Sequence, residues 1–466
     1  MVIGQGNKLG RAASSAEPIM SVSAPDEPTY RHHSFPKEIV SFIVSSLHKP
    51  FIGGVVLLIA AVVALILANS HFSDFYETFW NKPICLNWNG FTFCPNMHFV
   101  INDVLMTLFF LVTGVEIRSE MHDGALSNIK QASLPIMAAI GGVCFPAVIY
   151  SVFNYASTAF YGWAVPTATD IAFAVGILSL LGSSIPNNLR IVLLSLAVID
   201  DIIAVIIIAL FYSGHLNTYG IFIGLVGILL IVLLQRLKIS SFLPYLFSGV
   251  IVWAGLFILG VHPSLTGIIL GLLTPVLPYQ KNKTKISDKF AKVTDGKKQC
   301  YSKPNALEET VDKTSTPVEK APASEIKHKL TPWVTFLIMP LFALANAGVN
   351  FSGVNFSAPH TTTIIMGVIV GLVVGKPIGI ITVSMLSVKI GLCRLPNKVN
   401  FSGMILVGSL AGIGFTMAIF TAMLAFPDIQ NLEAAKIGVL SGSLISACIG
   451  LAYGVIYLLM SKRSSK

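Results

Sequence analysis

Ile191-Val-Leu-Leu-Ser-Leu-Ala-Val-Ile-Asp-Asp-Ile-Ile-Ala-Val-Ile-Ile-Ile-Ala-Leu-Phe211 is long and apolar enough to cross a bilayer, yet it carries Asp200 and Asp201 side by side near its centre. An ionised acid at a helix centre costs about 2.5 to 3.5 kcal/mol on insertion scales, so the two together cost about 5 to 7 kcal/mol in lipid. A cation, a basic partner or protonation can offset that cost, and a site able to switch among the three is a transport site. Neighbours on a helix point about 100° apart, so one acid can face an ion path while the other faces a partner.

The rest of the chain is of the same kind. Its 466 residues are 54% hydrophobic and 11% charged, with mean hydropathy +0.76, which excludes a soluble domain with a charged surface. The formal net charge of +9 is what basic cytoplasmic loops supply, so it does not imply nucleic acid. Cysteines at 85, 94, 144, 300, 393 and 448 show no C-x-x-C or Cys/His spacing, so no zinc site is indicated.

Residues 1–36 are polar and rich in Ser, Ala and Pro, with no apolar core of a signal peptide, and read as a disordered cytoplasmic tail. Residues 37–48 put Ile39, Phe42, Ile43 and Leu47 on one face of a short interfacial helix, at the start of a transporter domain over 37–460. Twelve spans are expected: 51–69, 98–117, 131–153, 164–182, 188–212, 217–235, 241–259, 262–277, 332–349, 361–386, 402–425 and 435–460. With both termini cytoplasmic, the inside loops and the 461–466 tail hold Arg118, Lys130, Arg190, Arg236, Lys238, the lysines from Lys281 to Lys329, Lys389, Arg394, Lys398, Lys462, Arg463 and Lys466. The outside loops hold Lys82 and Lys436. The Lys-rich stretch 279–330 reads as a flexible, charged cytoplasmic loop.

Two spans are interrupted. Pro166 and Gly176 flank Thr167, Thr169 and Asp170, and Gly408, Gly412 and Gly414 recur in a late span. A broken helix frees N–H and C=O groups that lipid cannot satisfy, so it must line a packed or wet cavity. Paired breaks suggest inverted repeats, over 131–212 and 361–460, around a midplane site. Lys376, held beside Pro377, can neutralise buried acids, which gives the set Asp170, Asp200, Asp201 and Lys376. Asp103 and Glu116, near opposite ends of the second span, are candidates for ion access.

The extracytoplasmic stretch 71–97 contains Cys85-Leu-Asn-Trp-Asn-Gly-Phe-Thr-Phe-Cys94. An Asn89-Gly90 turn predicts a small β-hairpin that pairs Trp88 with Phe91, Asn87 with Thr92, Leu86 with Phe93 and Cys85 with Cys94. The cysteine Cα atoms would lie about 4.5 Å apart, close enough for a disulfide in an oxidising compartment. The alternative is two unpaired cysteines in a loop.

In Ala168-Thr-Asp-Ile-Ala-Phe-Ala174, Ile199-Asp-Asp201, Pro340-Leu-Phe-Ala-Leu-Ala-Asn-Ala-Gly348, Gly375-Lys-Pro-Ile-Gly379 and Gly412-Ile-Gly-Phe-Thr416, the chain closely resembles the NhaA family of sodium/proton antiporters over about residues 40–460. The resemblance implies an electrogenic exchanger of a bacterial inner membrane, moving more than one proton per sodium or lithium ion. It implies sodium and pH homeostasis, no cofactor, and a homodimer paired through the 85–94 hairpin. It makes Asp201 the principal cation carboxylate, Asp200 its proton-carrying neighbour and Lys376 the base that pairs with Asp200. It places Thr169 and Asp170 where the interrupted helices cross, with Asp170 balancing the positive ends of half-helices and Lys376 the negative ends. Two stretches depart from the family pattern. Ser119 stands where a basic residue is expected, and Lys327 and Thr331 replace a Glu and a His, all at positions tied to pH activation.

Two other classes remain open on the residues alone. An intramembrane aspartyl protease needs its acids on separate helices in Tyr-Asp and Gly-x-Gly-Asp settings, whereas Gly412-Ile-Gly-Phe415 lacks the acid. A cation channel or non-transporting sensor can use buried acids, but a buried lysine beside them favours occlusion over conduction.

Overall fold

The computed structural model describes residues 50–464, apart from 276–320 and short stretches at 89–90, 123, 125, 156, 183–184, 213–216, 240, 352–353, 359 and 397–398. The expected tail (1–36), the interfacial helix (37–48), the Asn89-Gly90 turn and most of the 279–330 loop lie outside the described residues. The rest is almost wholly helical, the form in which a lipid-embedded chain satisfies its own backbone.

Helix α1 (Pro50–Ala68) is followed by α2 (Ser73–Asn81), bent 113° from it. Two three-residue strands, β1 (Leu86–Trp88) and β2 (Phe91–Phe93), then pair antiparallel in the register 86↔93, 87↔92 and 88↔91. Cys85 and Cys94, just outside them, form a disulfide with Cα atoms 4.0 Å apart. The helices α3 (Met97–His122) and α4 (Ile129–Phe153) come next. A 3-10 helix, Thr158–Thr167, then leads into α5 (Ile171–Leu180), bent 43° from it. The acid pair lies on α6 (Asn187–Phe211), and α7 (Thr218–Arg236), α8 (Phe242–Leu259) and α9 (Leu265–Leu273) follow. The later part comprises α10 (Pro322–Asn346), α11 (Thr361–Lys389), α12 (Phe401–Ala411), α13 (Phe415–Ala425), bent 49° from α12, and α14 (Ile429–Ser464).

Among the described residues eight helices are long and apolar enough to cross a membrane, or eleven if each bent pair is one span. The difference from twelve falls at 262–277. There α9 has nine residues, about 13.5 Å at 1.5 Å per residue, which is under half a hydrocarbon core. A correction concerns 321–330, expected as loop but forming the start of α10. Pro322 sits at the first turn, Ala323 and Ile326 are buried on one face, and Glu325 pairs with Lys329 one turn on at 2.5 Å. The lysines that gave the stretch its polar look occupy the exposed face.

Two features of packing position the site. The backbones of α4 and α11 touch at Gly141 and Gly379, where a Cβ on Gly379 would lie 2.1 Å from the Gly141 carbonyl oxygen. This close approach seats Lys376, one turn away, in the interior. The backbone just ahead of Lys376 is a π-helical turn, Gly371–Gly375, an irregularity common at functional sites. By contrast α7 and α8 are largely unburied, with Leu229, Phe222 and Phe247 65–71% exposed, a face suited to lipid.

Candidate functional site

The two broken helices cross through backbone and side chain together. The N–H of Asp170 donates to the Ile413 carbonyl at 2.8 Å, and Thr169 Oγ1 lies 3.2 Å from the Ala411 carbonyl. Asp170 faces both ways: Oδ1 accepts from the Phe173 N–H (3.0 Å), capping α5, and Oδ2 accepts from the Thr416 N–H (3.2 Å) and hydroxyl at the start of α13. One fully buried carboxylate therefore serves the positive ends of two half-helices.

Against this crossing, Lys376 reaches in from α11. Its Nζ donates to the Thr167 carbonyl (2.5 Å) and Thr169 Oγ1 (2.6 Å), and lies 3.2 Å from Asp200 Oδ2; both charged side chains are 0% exposed. Thr169 Oγ1 in turn donates to Asp200 Oδ2 at 2.6 Å. An ammonium has three protons, and here three oxygens surround it. The carboxylates are less complete: among the described residues Asp200 Oδ1 and Asp201 Oδ1 are buried with no hydrogen-bond partner. These are the atoms at which a proton or cation can be held, since an unpaired buried acceptor is otherwise costly.

The structure thus gathers Thr169, Asp200 and Lys376 into one hydrogen-bonded group, with Asp201 next in chain to Asp200 on α6 and Asp170, next in chain to Thr169, bonded instead to the half-helix ends at Phe173 and Thr416. It does not bring Asp103 or Glu116 into that group. Asp103 Oδ1 lies 3.6 Å from His262 Nδ1, and Glu116 pairs with Lys327 at 3.4 Å. Thr331, a turn after Lys327, spends its hydroxyl on the Lys327 carbonyl at 2.6 Å. Sequence reasoning missed Thr416 and the carbonyl of Thr167 as parts of the site. Thr416 had a signal, since Gly-x-Gly-Phe-Thr416 sits at the second break as Thr-Asp170 sits at the first. It also missed the buried reciprocal amide pair of Asn102 and Asn346, with contacts of 2.8 and 3.3 Å.

Residues 45–453 match the sequence model of the family described as Na+/H+ antiporter 1. A Na+/H+ antiporter NhaA of Bartonella henselae is 50% identical over 437 residues, covering 92% of this chain and 95% of that protein. The chain belongs to the NhaA family. A second family member, Na+/H+ antiporter NhaA 2 of Pseudomonas putida, is 48% identical over 429 residues, covering 90% of this chain and 94% of that one. Among solved structures, the sodium proton antiporter NhaP1 of Methanocaldococcus jannaschii superposes with a TM-score of 0.50 at 11% identity, covering 90% of this chain and 98% of that one. At that identity the likeness shows a shared fold.

Proposed function

We propose that the chain exchanges sodium, or lithium, for protons across a bacterial inner membrane by competition at Asp200 and Asp201. The observation that carries this is a fully dressed ammonium paired with Asp200, with Asp200 and its neighbour Asp201 each keeping an unpartnered, buried oxygen. Away from water an acid holds its proton more readily, whereas a neighbouring ammonium or cation favours the charged form. Sodium entering at Asp201 draws on the oxygens of both acids and expels their protons. Asp200, when ionised, has Lys376 as counter-ion, so sodium and Lys376 compete for it.

Two protons leaving for each sodium ion moves net charge, so the exchange is electrogenic. If the protein reorients only with the site occupied, competition alone couples the two flows. The order of long helix, broken helix, long helix occurs twice, as α4 to α6 and as α11 to α14, which supports inverted repeats moving around the crossing. We read 262–277, eighth in chain order, as a short segment that enters the membrane without a full-length helix and brings the count from eleven to twelve, both termini as cytoplasmic, and the β1–β2 pair as the edge at which two copies meet. A disulfide there fits an oxidising outer compartment. Sodium and pH homeostasis is the cellular role that this exchange serves.

The test is sodium-driven pH change in sealed vesicles. Wild type should alkalinise or acidify according to the sodium gradient and respond to membrane potential. Asp201→Asn should reduce exchange to the background of empty vesicles; wild-type rates in that variant at limiting sodium, or unitary channel currents, would overturn the reading.

A further inference from the structure

A groove of about 250 Å³ runs between α1, the two half-helices and α14. Its floor holds Ala61, Phe173, Phe415 and Ser443, and its rim holds Val62 and Leu444. Phe173 and Phe415 belong to the first turns of α5 and α13, and their ring centroids are 5.5 Å apart. Val62 and Leu444 are 46% and 61% exposed and stand on membrane-crossing helices, so the groove opens into hydrocarbon. Its lining carries two hydroxyls, Ser443, whose Oγ accepts the otherwise free N–H of Phe415 at 3.0 Å, and Ser441; the other ten lining side chains are apolar. Two hydroxyls cannot satisfy a polar guest among ten apolar side chains, and polar groups left unsatisfied at that depth are expensive.

We propose that this groove holds one acyl chain of a membrane phospholipid and that the chain braces the helix crossing. The route of action is short. The N–H of Phe173 is bonded to Asp170 Oδ1, and Thr416, next to Phe415, is bonded to Asp170 Oδ2. An occupant that fixes the two rings fixes the first turns whose N–H groups Asp170 holds. Emptying the groove leaves both rings free to shift, with apolar surface that has lost its contacts on one side. The groove is thus a lever on the exchange site that no ion occupies.

The experiment reconstitutes the full chain in vesicles of phosphatidylethanolamine that carries a photoreactive diazirine at mid-chain, followed by illumination and peptide mapping by mass. Adducts are expected on Ala61, Phe415 and Ser443, which are 3–4% exposed and beyond the reach of lipid that merely surrounds the protein. Ser441→Phe, which fills the groove from α14, should lose these adducts and keep those on Val62 and Leu444. Ala61→Leu, filling from the opposite wall, should do the same. Adducts confined to the rim in wild type, or interior adducts from a free fatty-acid probe but not from the phospholipid, overturn the assignment. The bracing rests on the exchange reading and has its own arm. Wild-type exchange should vary with acyl-chain length while the filled variants do not, and equal indifference in all three overturns it. Labelling requires no transport, so the two readings fail separately.

Discussion

Lys376 lies 3.2 Å from an Asp200 oxygen and Lys327 lies 3.4 Å from a Glu116 oxygen, so by distance the two ion pairs are near equals. Their settings are opposite. The first has no exposed surface, and the second has side chains 47% and 30% exposed at the end of α3. Water and salt screen the second, and such exposed pairs contribute about 0 to 1 kcal/mol. In the first, each charge is the other's counter-ion in a site closed to water, and removing one commonly costs about 3 to 5 kcal/mol. What separates the buried pair from a surface contact is therefore the cost of leaving a partner alone. A cation that substitutes for a buried lysine does energetic work; one that visits Glu116 does little.

Lys376→Ala is the strongest way to break this contrast. It should destabilise the detergent-solubilised protein by about 3 to 5 kcal/mol and lower its melting temperature. Adding Asp200→Asn to that variant should restore part of the loss, because the acid that Lys376 paired is then no longer left as a lone buried charge. An unchanged melting temperature in the single variant would show that the pair is not the counter-ion pair described.

Proton competition sharpens the same contrast through pH. Protons fill the acids as pH falls, so the apparent KM for sodium should rise, by about tenfold per pH unit for each proton displaced while the acids are protonated in the absence of sodium. A slope between one and two on logarithmic axes is expected from initial rates in vesicles. A KM indifferent to pH, with only the maximal rate varying, would remove direct competition.

Lys327→Gln gives the smallest effect. Stability should change by less than about 1 kcal/mol, and the change should fade in high salt. The companion variant Lys327→Glu with Thr331→His should shift the activity profile against pH. Superimposable profiles would show that this end of α10 does not set the response.

Much of this was legible in the sequence because lipid imposes a strict rule: an acid, a lysine or a glycine cluster inside an apolar run needs a reason. Asp200, Asp201, Asp170, Lys376 and the two breaks stand out on that rule alone. The contacts among them did not. The bonds from Lys376 to the Thr167 carbonyl and from Asp170 to Thr416 exist only once two distant breaks are stacked, and nothing local to either break specifies its partner. Residues 321–330 were misread for the opposite reason. Their buried residues are Ala321, Pro322, Ala323 and Ile326, of which only Ile326 is large and aliphatic, and exposed lysines dominate any average over the stretch. Asn346 lies in the quoted Pro340–Gly348 motif, but nothing there points to Asn102, since amides at helix contacts are common and the pairing lies across 244 residues.

The bond between Thr416 and Asp170 spans 246 residues, which sets a schedule for biosynthesis. At roughly 5 to 20 residues per second, the ribosome needs about 12 to 50 s after making Asp170 to deliver its partner. During that interval α5 is complete and the carboxylate at its head has no α13 to serve. The nascent chain therefore crosses a stage in which its most constrained acid must stay protonated or sheltered by the insertion machinery, and only the arrival of the penultimate helix ends that dependence.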